Sequence, residues 1–442
     1  METMDMMIKG GEVGEADWRT FWTEESYPKV WTPDSNYNLS WSQTRTAINL
    51  LSKSHRSIAG TIIADESITD LSPVHGSELC ISAELMFSLS YIYQFLGDND
   101  LADWAERTAF NAFPVSVSPD WWSHQYIQQE NQPWSRNLSS ASQWVDVNSY
   151  SNVFGLEPNY PCCTVNHPQA YPKFLANSFV ATEDGNLAHV FLAPGKVSTI
   201  VGGNPVTVVA ETAYPFGHKI HYEITAELDF FFYIRIPAWA NASSTITKPD
   251  SDEPPHPLSV TDHSLQEVRI PGNTSYAFTL NLETHVRMEE LVQGMVAIYY
   301  GPLLYSLAVD YEQTQTVPYS YDFPYGPLPE NTTHVHTHDH ILTPKSAWNV
   351  AVDTSQIQIG MRAAHSPKLE SPIWALGAPP VELRIAAVQI EWPIEHDTAA
   401  VPPTSNYTVV SAPFSARFVP YGSAKVHMAH LPKIDLPKIQ LI

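Results

Sequence analysis

The spacing of hydrophobic residues changes near Asp184-Gly185, and this change limits the folds that the chain can adopt. Before it, apolar residues recur at helical spacing, most strongly over residues 81–95. After it, apolar and polar residues alternate in short runs, which turns rich in Gly, Pro and Asn separate. This order predicts an α+β chain whose helices come first and whose antiparallel sheets follow.

Four segments before this point are predicted to be helices: residues 42–54, 81–95, 101–112 and 168–181. Gly97 ends the second of them, and Pro168 marks the fourth. The clearest strands are predicted over residues 219–226, 230–236, 276–282, 296–300 and 382–392. Short strands at this spacing are typical of antiparallel sandwiches.

The length of the chain limits the number of its domains, and its charge limits the kinds of partner it can bind. At 442 residues it is long enough for two or three domains. It contains 23 Lys and Arg against 47 Asp and Glu, a net charge of −24. Nucleic acids and anionic membranes both attract basic surfaces, so this balance argues against either as a partner. Nothing in the sequence gives the oligomeric state.

Segments that would direct the chain to or across a membrane are not evident. No stretch approaches the roughly 20 apolar residues of a spanning helix, and the longest, residues 295–309, is interrupted by Gly301-Pro302. The first seven residues lack the basic and then apolar start of a signal peptide. Six Asn-x-Ser/Thr sequons would suit a secreted glycoprotein, although such sequons also arise by chance. Either the protein stays inside the cell, or its true N-terminus is missing.

The three cysteines cannot all be paired, which excludes a disulfide framework. Cys162 and Cys163 are adjacent, so they cannot point the same way along a regular helix or strand, and a disulfide between them would be strained. One reading is a turn that directs both thiols, with Cys80, toward a metal, since three thiolates and a carboxylate suit tetrahedral zinc. The other is three unrelated buried thiols, because the chain lacks the paired halves of strong zinc signatures.

A resemblance to a known family favours the first reading. The segment 157–166, Glu-Pro-Asn-Tyr-Pro-Cys-Cys-Thr-Val-Asn, resembles the double-cysteine motif of glycoside hydrolase family 127, the β-L-arabinofuranosidase family. Residues 64–66 (Ala-Asp-Glu) and 76–80 (Gly-Ser-Glu-Leu-Cys) are similar to the acid and metal-ligand segments of that family. Further similar segments are residues 103–107, 234–240 and 301–305, and the resemblance runs from about Trp18 to the C-terminus.

The resemblance implies a retaining glycoside hydrolase that acts on β-L-arabinofuranosides or related glycans, so that its partner is a carbohydrate substrate. It implies that Zn²⁺ is held by four residues: Glu78, Cys80, Cys162 and Cys163. Cys162 matches the nucleophile and Glu66 the general acid/base. A solvated loop acid is the alternative reading for Glu66, and Asp65 is the alternative candidate for its role.

The resemblance also assigns Glu106 and Tyr126 to positions that bind the sugar. For Tyr126, a core aromatic residue with a hydrogen-bonded hydroxyl is an equally reasonable reading. Glu78 and Cys80 are two residues apart, a spacing that separates side chains within a helix. We therefore expect both to lie in the lead-in to the 81–95 helix rather than in its regular turns.

The fold that the resemblance implies is a partial (α/α)6 toroid over residues 1–185, followed by two β-sandwiches over residues 186–288 and 289–442. A complete twelve-helix toroid needs roughly 200 residues or more at about 10–14 residues per helix. Only four or five helices are readable before residue 185. The chain therefore resembles a fungal-type member that is truncated at its N-terminus, and full-length relatives are expected to be secreted.

The missing half leaves a second function open. A catalytically dead remnant, or a protein that binds glycans or another chain, would keep the sandwiches and the metal ligands without a walled sugar pocket. Because positioning contributes much of a glycosidase's rate, we expect the chain as written to turn over poorly.

Overall fold

The computed structural model describes residues 35–138, 144, 148–156, 159–248, 254–261, 263–321, 324–329, 331–332, 334, 337–361, 369–404 and 407–442. For residues 35–42 and 293 only the backbone is described. The first 34 residues of the predicted 1–185 domain therefore lie outside the described residues, as do Glu157 and Pro158 of the double-cysteine motif.

The α-helices of the described residues all precede residue 176, and those after the first pack around the long apolar second helix. They are α1 (Ser35–His55), α2 (Leu79–Leu96), α3 (Asn99–Arg107), α4 (Phe113–Val115) and α5 (Pro161–Leu175). A π-helical turn, Thr108–Ala112, joins α3 to α4. As predicted, Gly97 ends α2: it adopts a left-handed conformation (φ 66°) and its N–H bonds the Tyr93 carbonyl at 2.8 Å.

The last helix starts and ends earlier than its sequence pattern predicted. The sequence predicts a start marked by Pro168, but α5 begins at Pro161, and Pro168 and Pro172 lie inside it. Pro161 occupies the first helical position, where a missing N–H is tolerated and the fixed φ of proline suits the helix. The residues expected to complete this helix form instead the strand β4, Phe179–Ala181.

Two short strands within the helical part pair with each other. These are β1 (Gly76–Glu78) and β2 (Ile127–Gln129), and they run antiparallel. A third, β3 (Asn131–Gln132), follows β2 directly. These strands connect the loop before α2 to the segment that follows α4.

The first group of sheets follows α5. A six-stranded sheet has the order β11-β10-β13-β8-β7-β6, and a four-stranded sheet has the order β12-β9-β5-β4. Side chains from the two sheets meet in an apolar layer, where the Tyr222 and Phe232 rings lie 5.4 Å apart. The strands are β5 (Leu187–His189), β6 (Gly195–Val201), β7 (Asn204–Thr212), β8 (Lys219–Ala226), β9 (Phe230–Arg235), β10 (Thr245–Thr247), β11 (His256–Pro257), β12 (Leu265–Ile270) and β13 (Thr274–Asn281).

One strand pair departs from the expected antiparallel pattern. Strands β5 and β9 run parallel, with Leu187 opposite Phe232. Between them the chain crosses to the six-stranded sheet and forms β6, β7 and β8 there. A crossover of this kind is what a parallel pair requires, and it cannot be recognised from alternating hydrophobicity alone.

The second group centres on a nine-stranded sheet with the path β14-β15-β16-β25-β22-β21. Strand β26 pairs with both β16 and β3, so the helical part contributes a strand to this sheet. The strands of this group are β14 (Val286–Glu290), β15 (Met295–Tyr300), β16 (Leu303–Ala308), β17 (Tyr311–Thr316), β18 (Tyr319–Ser320), β19 (Gly326–Pro327), β20 (Asp339–Pro344), β21 (Val350–Met361), β22 (Val381–Gln389), β23 (Ile394–Glu395), β24 (Thr398–Ala399), β25 (Phe414–Pro420), β26 (His427–Met428) and β27 (Leu431–Pro432).

This organisation confirms the predicted α+β class, with few helices first and many strands after them. The toroid, the pairing of the sheets into two sandwiches, and domain boundaries at residues 185/186 and 288/289 stay predictions. Within the described residues, α2 is long and apolar enough to cross a membrane, but most of its side chains are buried against other parts of the protein, as in a core helix.

A buried ionic cluster joins α3 to the first group of sheets. The Arg235 guanidinium, at the end of β9, contacts Asp103 and Glu106 at 2.6 Å each. Its Nε donates to the Val190 carbonyl at 2.6 Å, and its side chain is fully buried. Asp103 and Glu106 are three residues apart on α3, so both face the same strand end.

Replacing Arg235 should therefore be costly. In Arg235→Ala, Glu106 would keep a buried carboxylate without its cation, and we expect the free energy of unfolding to fall by about 3–5 kcal/mol. Denaturant unfolding of the two proteins measures this difference. As a matched control, Arg269→Ala removes an exposed partner of Asp229 and should leave stability almost unchanged. Equal stability of Arg235→Ala and the parent would contradict a stabilising role for the ion pairs of Arg235 with Asp103 and Glu106.

Candidate active site

Four predicted metal ligands converge in the structure. One ligand atom each from Glu78, Cys80, Cys162 and Cys163 lies within 4.8 Å of all the others. The Cys80 and Cys163 sulfur atoms are 3.2 Å apart. A tetrahedral zinc ion with bonds of about 2.3 Å separates its sulfur ligands by roughly 3.8 Å. The 3.2 Å between the Cys80 and Cys163 sulfur atoms lies below this value, and the 4.8 Å limit for the four ligand atoms lies above it. Small side-chain shifts would therefore complete a tetrahedral site.

The junction between β1 and α2 positions the first two ligands. Glu78 ends β1 in an extended conformation (φ −68°, ψ 139°), and Cys80 is the second residue of α2. The change from strand to helix turns side chains two residues apart toward the same point. The expectation for Glu78 is met, whereas Cys80 lies in the first helical turn rather than in the lead-in.

The adjacent cysteines occupy the start of a helix rather than the expected turn. Tyr160 adopts a left-handed conformation (φ 57°, ψ 53°), and α5 begins at the next residue. Cys162 and Cys163 are therefore the second and third helical residues, about 100° apart around the helix axis. This difference leaves Cys163 buried and Cys162 exposed, although both sulfur atoms reach the cluster.

Hydrogen bonds and burial distinguish the three thiols. Hydrogen bonds from Cys163, and then from Cys80, lower the pKa of Cys162. Burial raises the pKa of Cys163, and the hydrogen bond to Cys162 raises that of Cys80. Burial also raises the pKa of Glu78 to about 7. Within the cluster, the negative charge is therefore favoured on Cys162, the one exposed member.

The donor set fits a zinc ion. Three sulfur atoms and one carboxylate are ligands that zinc prefers, and three of the four residues are buried. A buried group of four acids is expensive to ionise without a cation, as the raised pKa values of its buried members indicate. A divalent cation would compensate that charge.

Glu66 lies at the tip of a tight turn beside this cluster. Ala64 forms bridges with both Ile68 and Ser77, and its carbonyl accepts the Glu78 N–H at 3.0 Å. Glu66 itself has a positive φ of 79°, which is uncommon for a residue other than glycine. Its side chain is exposed, whereas that of Asp65 is 3% exposed. The exposed position suits a group that exchanges protons with a bound molecule.

Tyr126 connects Glu66 to the cluster. Its hydroxyl donates a hydrogen bond to the Glu66 Oε1, and its ring stacks on Tyr160 with centroids 3.9 Å apart. The carbonyl of Tyr126 accepts the Leu79 N–H at 3.0 Å, next to both upstream ligands. Burial and the charges of Glu78 and Glu66 raise the pKa of Tyr126, so the phenol stays a donor.

Two histidines near the nucleophile candidate were not predicted from the sequence. The His124 Nε2 lies 2.9 Å from the Thr164 hydroxyl, and its ring is 5.4 Å from that of His167. Burial lowers the pKa of His124 to about 4. His124 alternates with Tyr126 along the chain, and His167 follows Cys163 by one helical turn. These two spacings are the features of the sequence from which the proximity of both histidines to the cluster could have been predicted.

The structure does not bring Glu106 into this hydrogen-bond network. Its carboxylate is 1% exposed and contacts Arg235, the Tyr214 hydroxyl at 2.6 Å and the Leu192 N–H at 3.1 Å. These partners occupy both carboxylate oxygens and give Glu106 a structural role. Sugar binding by Glu106 stays a prediction.

The second group of sheets also reaches the cysteine motif. The Asn159 amide donates to the Tyr319 carbonyl, and its oxygen accepts the Tyr321 N–H at 3.1 Å. Asp339 supports this contact, because it accepts the Tyr319 N–H at 2.8 Å and a hydrogen bond from the Tyr150 hydroxyl. Strand segments distant in sequence therefore hold the residues that lead into α5.

Comparisons with known proteins find solved structures of similar fold. No protein-family model matches the chain, and no curated protein matches it. The crystal structure of a GH127 β-L-arabinofuranosidase from Geobacillus stearothermophilus T6 is similar to 90% of this chain and to 57% of its own length, with a TM-score of 0.62 and 15% identity.

Two further structures are similar at the same level. A second GH127 β-arabinofuranosidase has a TM-score of 0.58 and 14% identity, over 90% of this chain and 58% of its own. A structure described as a glycoside hydrolase has a TM-score of 0.64 and 14% identity, over 91% and 63%. At such identities the likeness establishes the fold alone. The chain spans roughly three fifths of the length of these structures.

The first prediction from this geometry concerns metal content. Purified protein should hold about one zinc per chain, and Cys80→Ser should weaken zinc binding by at least about tenfold because it removes a ligand. Elemental analysis and chelator competition measure this. His338→Ala, in the histidine-rich 334–340 segment, is the control for adventitious binding and should bind as the parent does. Zinc that is lost with His338 but kept without Cys80 would contradict the assignment.

The second concerns pH and Asp339. Burial raises the pKa of this carboxyl from its ordinary 3.8 to about 6. The protonated Asp339 therefore makes its full contribution to the free energy of unfolding below pH 4. This contribution, at most about 3 kcal/mol, is lost as the pH rises through 6. Asp339→Asn should flatten this part of the stability profile, as measured by denaturant unfolding between pH 4 and 7. Identical slopes in the two proteins would count against a buried acid at this position.

Proposed function

We propose that this chain is a glycoside hydrolase of family 127 that acts with retention on β-L-arabinofuranosides or related glycans. The observation that supports this most strongly is the convergence of Glu78 and three cysteines next to Glu66. Three similar solved structures, two of them β-arabinofuranosidases of this family, support the same conclusion.

The first proposed step uses Cys162 and Glu66. A zinc ion held by Glu78, Cys80, Cys162 and Cys163 would keep the cysteines as thiolates. The Cys162 sulfur attacks the anomeric carbon, a C–S bond forms, and the glycosidic C–O bond breaks. Glu66, as the carboxylic acid, gives its proton to the leaving oxygen. Cys162 suits this role because it is the exposed thiol and has the lowered pKa.

The second proposed step restores the enzyme. Glu66, now a carboxylate, takes a proton from water as the water oxygen attacks the anomeric carbon. The C–S bond breaks and the electron pair returns to Cys162. Two displacements at the same carbon give net retention of configuration.

Tyr126 is proposed to orient the acid. Its hydroxyl donates to Glu66, and the stack with Tyr160 fixes the ring. Because Tyr160 directly precedes α5, the stack of its ring on Tyr126 also fixes the position of Glu66 relative to Cys162.

A second candidate function is binding without catalysis. The chain spans 57–63% of the lengths of the similar structures, and Glu106, a predicted sugar-binding residue, is buried in an ion pair. A protein of this kind would keep the metal cluster and bind a glycan without hydrolysing it.

Hydrolysis of p-nitrophenyl β-L-arabinofuranoside tests the enzymatic proposal. We expect slow release of nitrophenol, abolished by Cys162→Ser and reduced by about 10²–10⁴-fold in Glu66→Gln. Proton NMR should detect the β-anomer as the first product. Glu312→Gln, an exposed glutamate on β17, is the matched control and should keep the parent rate.

Azide separates the roles of the two groups. Nitrophenol leaves without an acid, so Glu66→Gln should stall at the second step and azide should accelerate it by replacing the water that Glu66 activates. Azide should not restore Cys162→Ser. Equal activity of the parent and Cys162→Ser would contradict the role of Cys162 as nucleophile. Glycan binding without turnover in the metal-loaded parent would instead support the binding function.

A further inference from the structure

A separate cavity of about 300 Å³ lies between α1 and the second group of sheets. Its walls come from α1, from the loop over residues 56–63, from Leu71, from Glu130 between β2 and β3, from His430 between β26 and β27, and from Glu289, Leu291 and Val292 at the end of β14. None of the metal ligands lines it. Ligand pockets range from about 300 to 1,000 Å³, so this volume suits one small molecule.

Ser57 contributes an unsatisfied polar group to this cavity. The residue is 3% exposed, and its hydroxyl has no hydrogen-bond partner in the described part of the chain. Its backbone N–H donates to the Thr61 carbonyl at 2.8 Å, which fixes the main chain here. A buried hydroxyl without a partner is unfavourable, and native proteins rarely leave one unsatisfied. The hydroxyl is therefore available to a molecule in the cavity.

Arg56 adds a positive charge without a matching carboxylate. Its guanidinium carbon lies 5.4 Å from the centre of the Trp104 ring, and it forms no ion pair with a described residue. The nearby Glu289 is already paired with Arg107 at 3.3 Å. Burial, and then the charge of Arg107, lower the pKa of Arg56, with Glu289 opposing them. Lys53 and Glu289 also line the cavity, so two basic side chains face it here beside one carboxylate that is already paired.

The opposite wall offers hydrogen-bond acceptors rather than a free charge. Glu130 is 3% exposed, and its Oε2 accepts a hydrogen bond from His430 at 2.6 Å. Its Oε1 accepts the Ala59 N–H at 3.2 Å. Each carboxylate oxygen has a second lone pair that can accept a hydroxyl proton. Asn49, on α1, adds an amide to the lining.

We propose that this cavity binds a small hydroxylated carboxylate, such as a sugar acid. The carboxylate would lie against Arg56 and the Ser57 hydroxyl, because a guanidinium binds a carboxylate with two parallel hydrogen bonds. The hydroxyl groups would face Glu130 and Asn49. The ligand would give Arg56 a carboxylate partner and the Ser57 hydroxyl a hydrogen-bond partner.

Calorimetric titration of the full chain tests this site, with D-glucuronate as probe and D-glucose as its neutral counterpart. The two sugars differ only in the group at C6. We expect one glucuronate site per chain and at least tenfold weaker binding of glucose. Inorganic phosphate separates a simple anion site from a sugar-acid site and should bind at least tenfold more weakly than glucuronate.

Variants locate the binding. Arg56→Gln should weaken glucuronate binding at least tenfold, and Ser57→Ala should weaken it severalfold. Arg45→Gln is the matched control and should bind as the parent does, because Arg45 is an exposed arginine on α1 that pairs with Asp98. If Arg56→Gln does not fold, as judged by thermal unfolding, Ser57→Ala decides the question alone.

Several outcomes would overturn the proposal. They are no glucuronate binding to the parent, equal binding of glucose or phosphate, and unchanged binding in Ser57→Ala. Cys162→Ser should bind glucuronate normally, since the cavity does not involve the cluster. Loss of binding in that variant would assign glucuronate to the candidate active site and reject the separate site. The proposed hydrolase function would be unaffected by either result.

Discussion

Three backbone pairs between β1 and β2 determine where the candidate active site can form. Gly76 lies opposite Gln129, Ser77 opposite Gln128, and Glu78 opposite Ile127. A Cβ atom at Gly76 would overlap the Ile127 side chain, so this close approach depends on glycine. The pairing brings the start of α2, with its two ligands, against the strand that follows Tyr126. Without it, the acid, the phenol and the upstream ligands would have no fixed relation.

Burial and hydrogen bonds give the three cysteine thiols different pKa values, although their chemistry is the same. Cys163 is buried, which disfavours its thiolate, and Cys80 is buried and hydrogen-bonded. Cys162 is exposed and receives hydrogen bonds, so the negative charge is favoured there. A reactive cysteine is one that is accessible and has a lowered pKa, and Cys162 alone of the three meets both conditions. The first turn of a helix adds a favourable dipole to the same position.

The helix-to-strand order and the convergence of Glu78 with the three cysteines could be predicted from the sequence, because they depend on local patterns and on a motif. Predicted α2, residues 81–95, is within two residues of the observed Leu79–Leu96. Other features depend on contacts between distant residues. The ion pair between Glu106 and Arg235 joins α3 to β9. Nothing in the sequence of either segment indicates that these two residues are in contact. The start of α5 at Pro161 depends on the left-handed conformation of Tyr160, which the sequence does not reveal.

The cysteine motif is supported by strands as much as by helices. Tyr160 contacts Tyr126 through its ring and the Ser151 hydroxyl at 2.7 Å, while Asn159 bonds the backbone of the 319–321 segment. That segment is in turn fixed by Asp339, on β20. A cluster of four acidic ligands repels itself unless its geometry is imposed, and most of the imposed geometry comes from these distant contacts. The helices supply the thiols, but the strands hold the backbone that aims two of them, so the cluster and the second group of sheets form one structural unit.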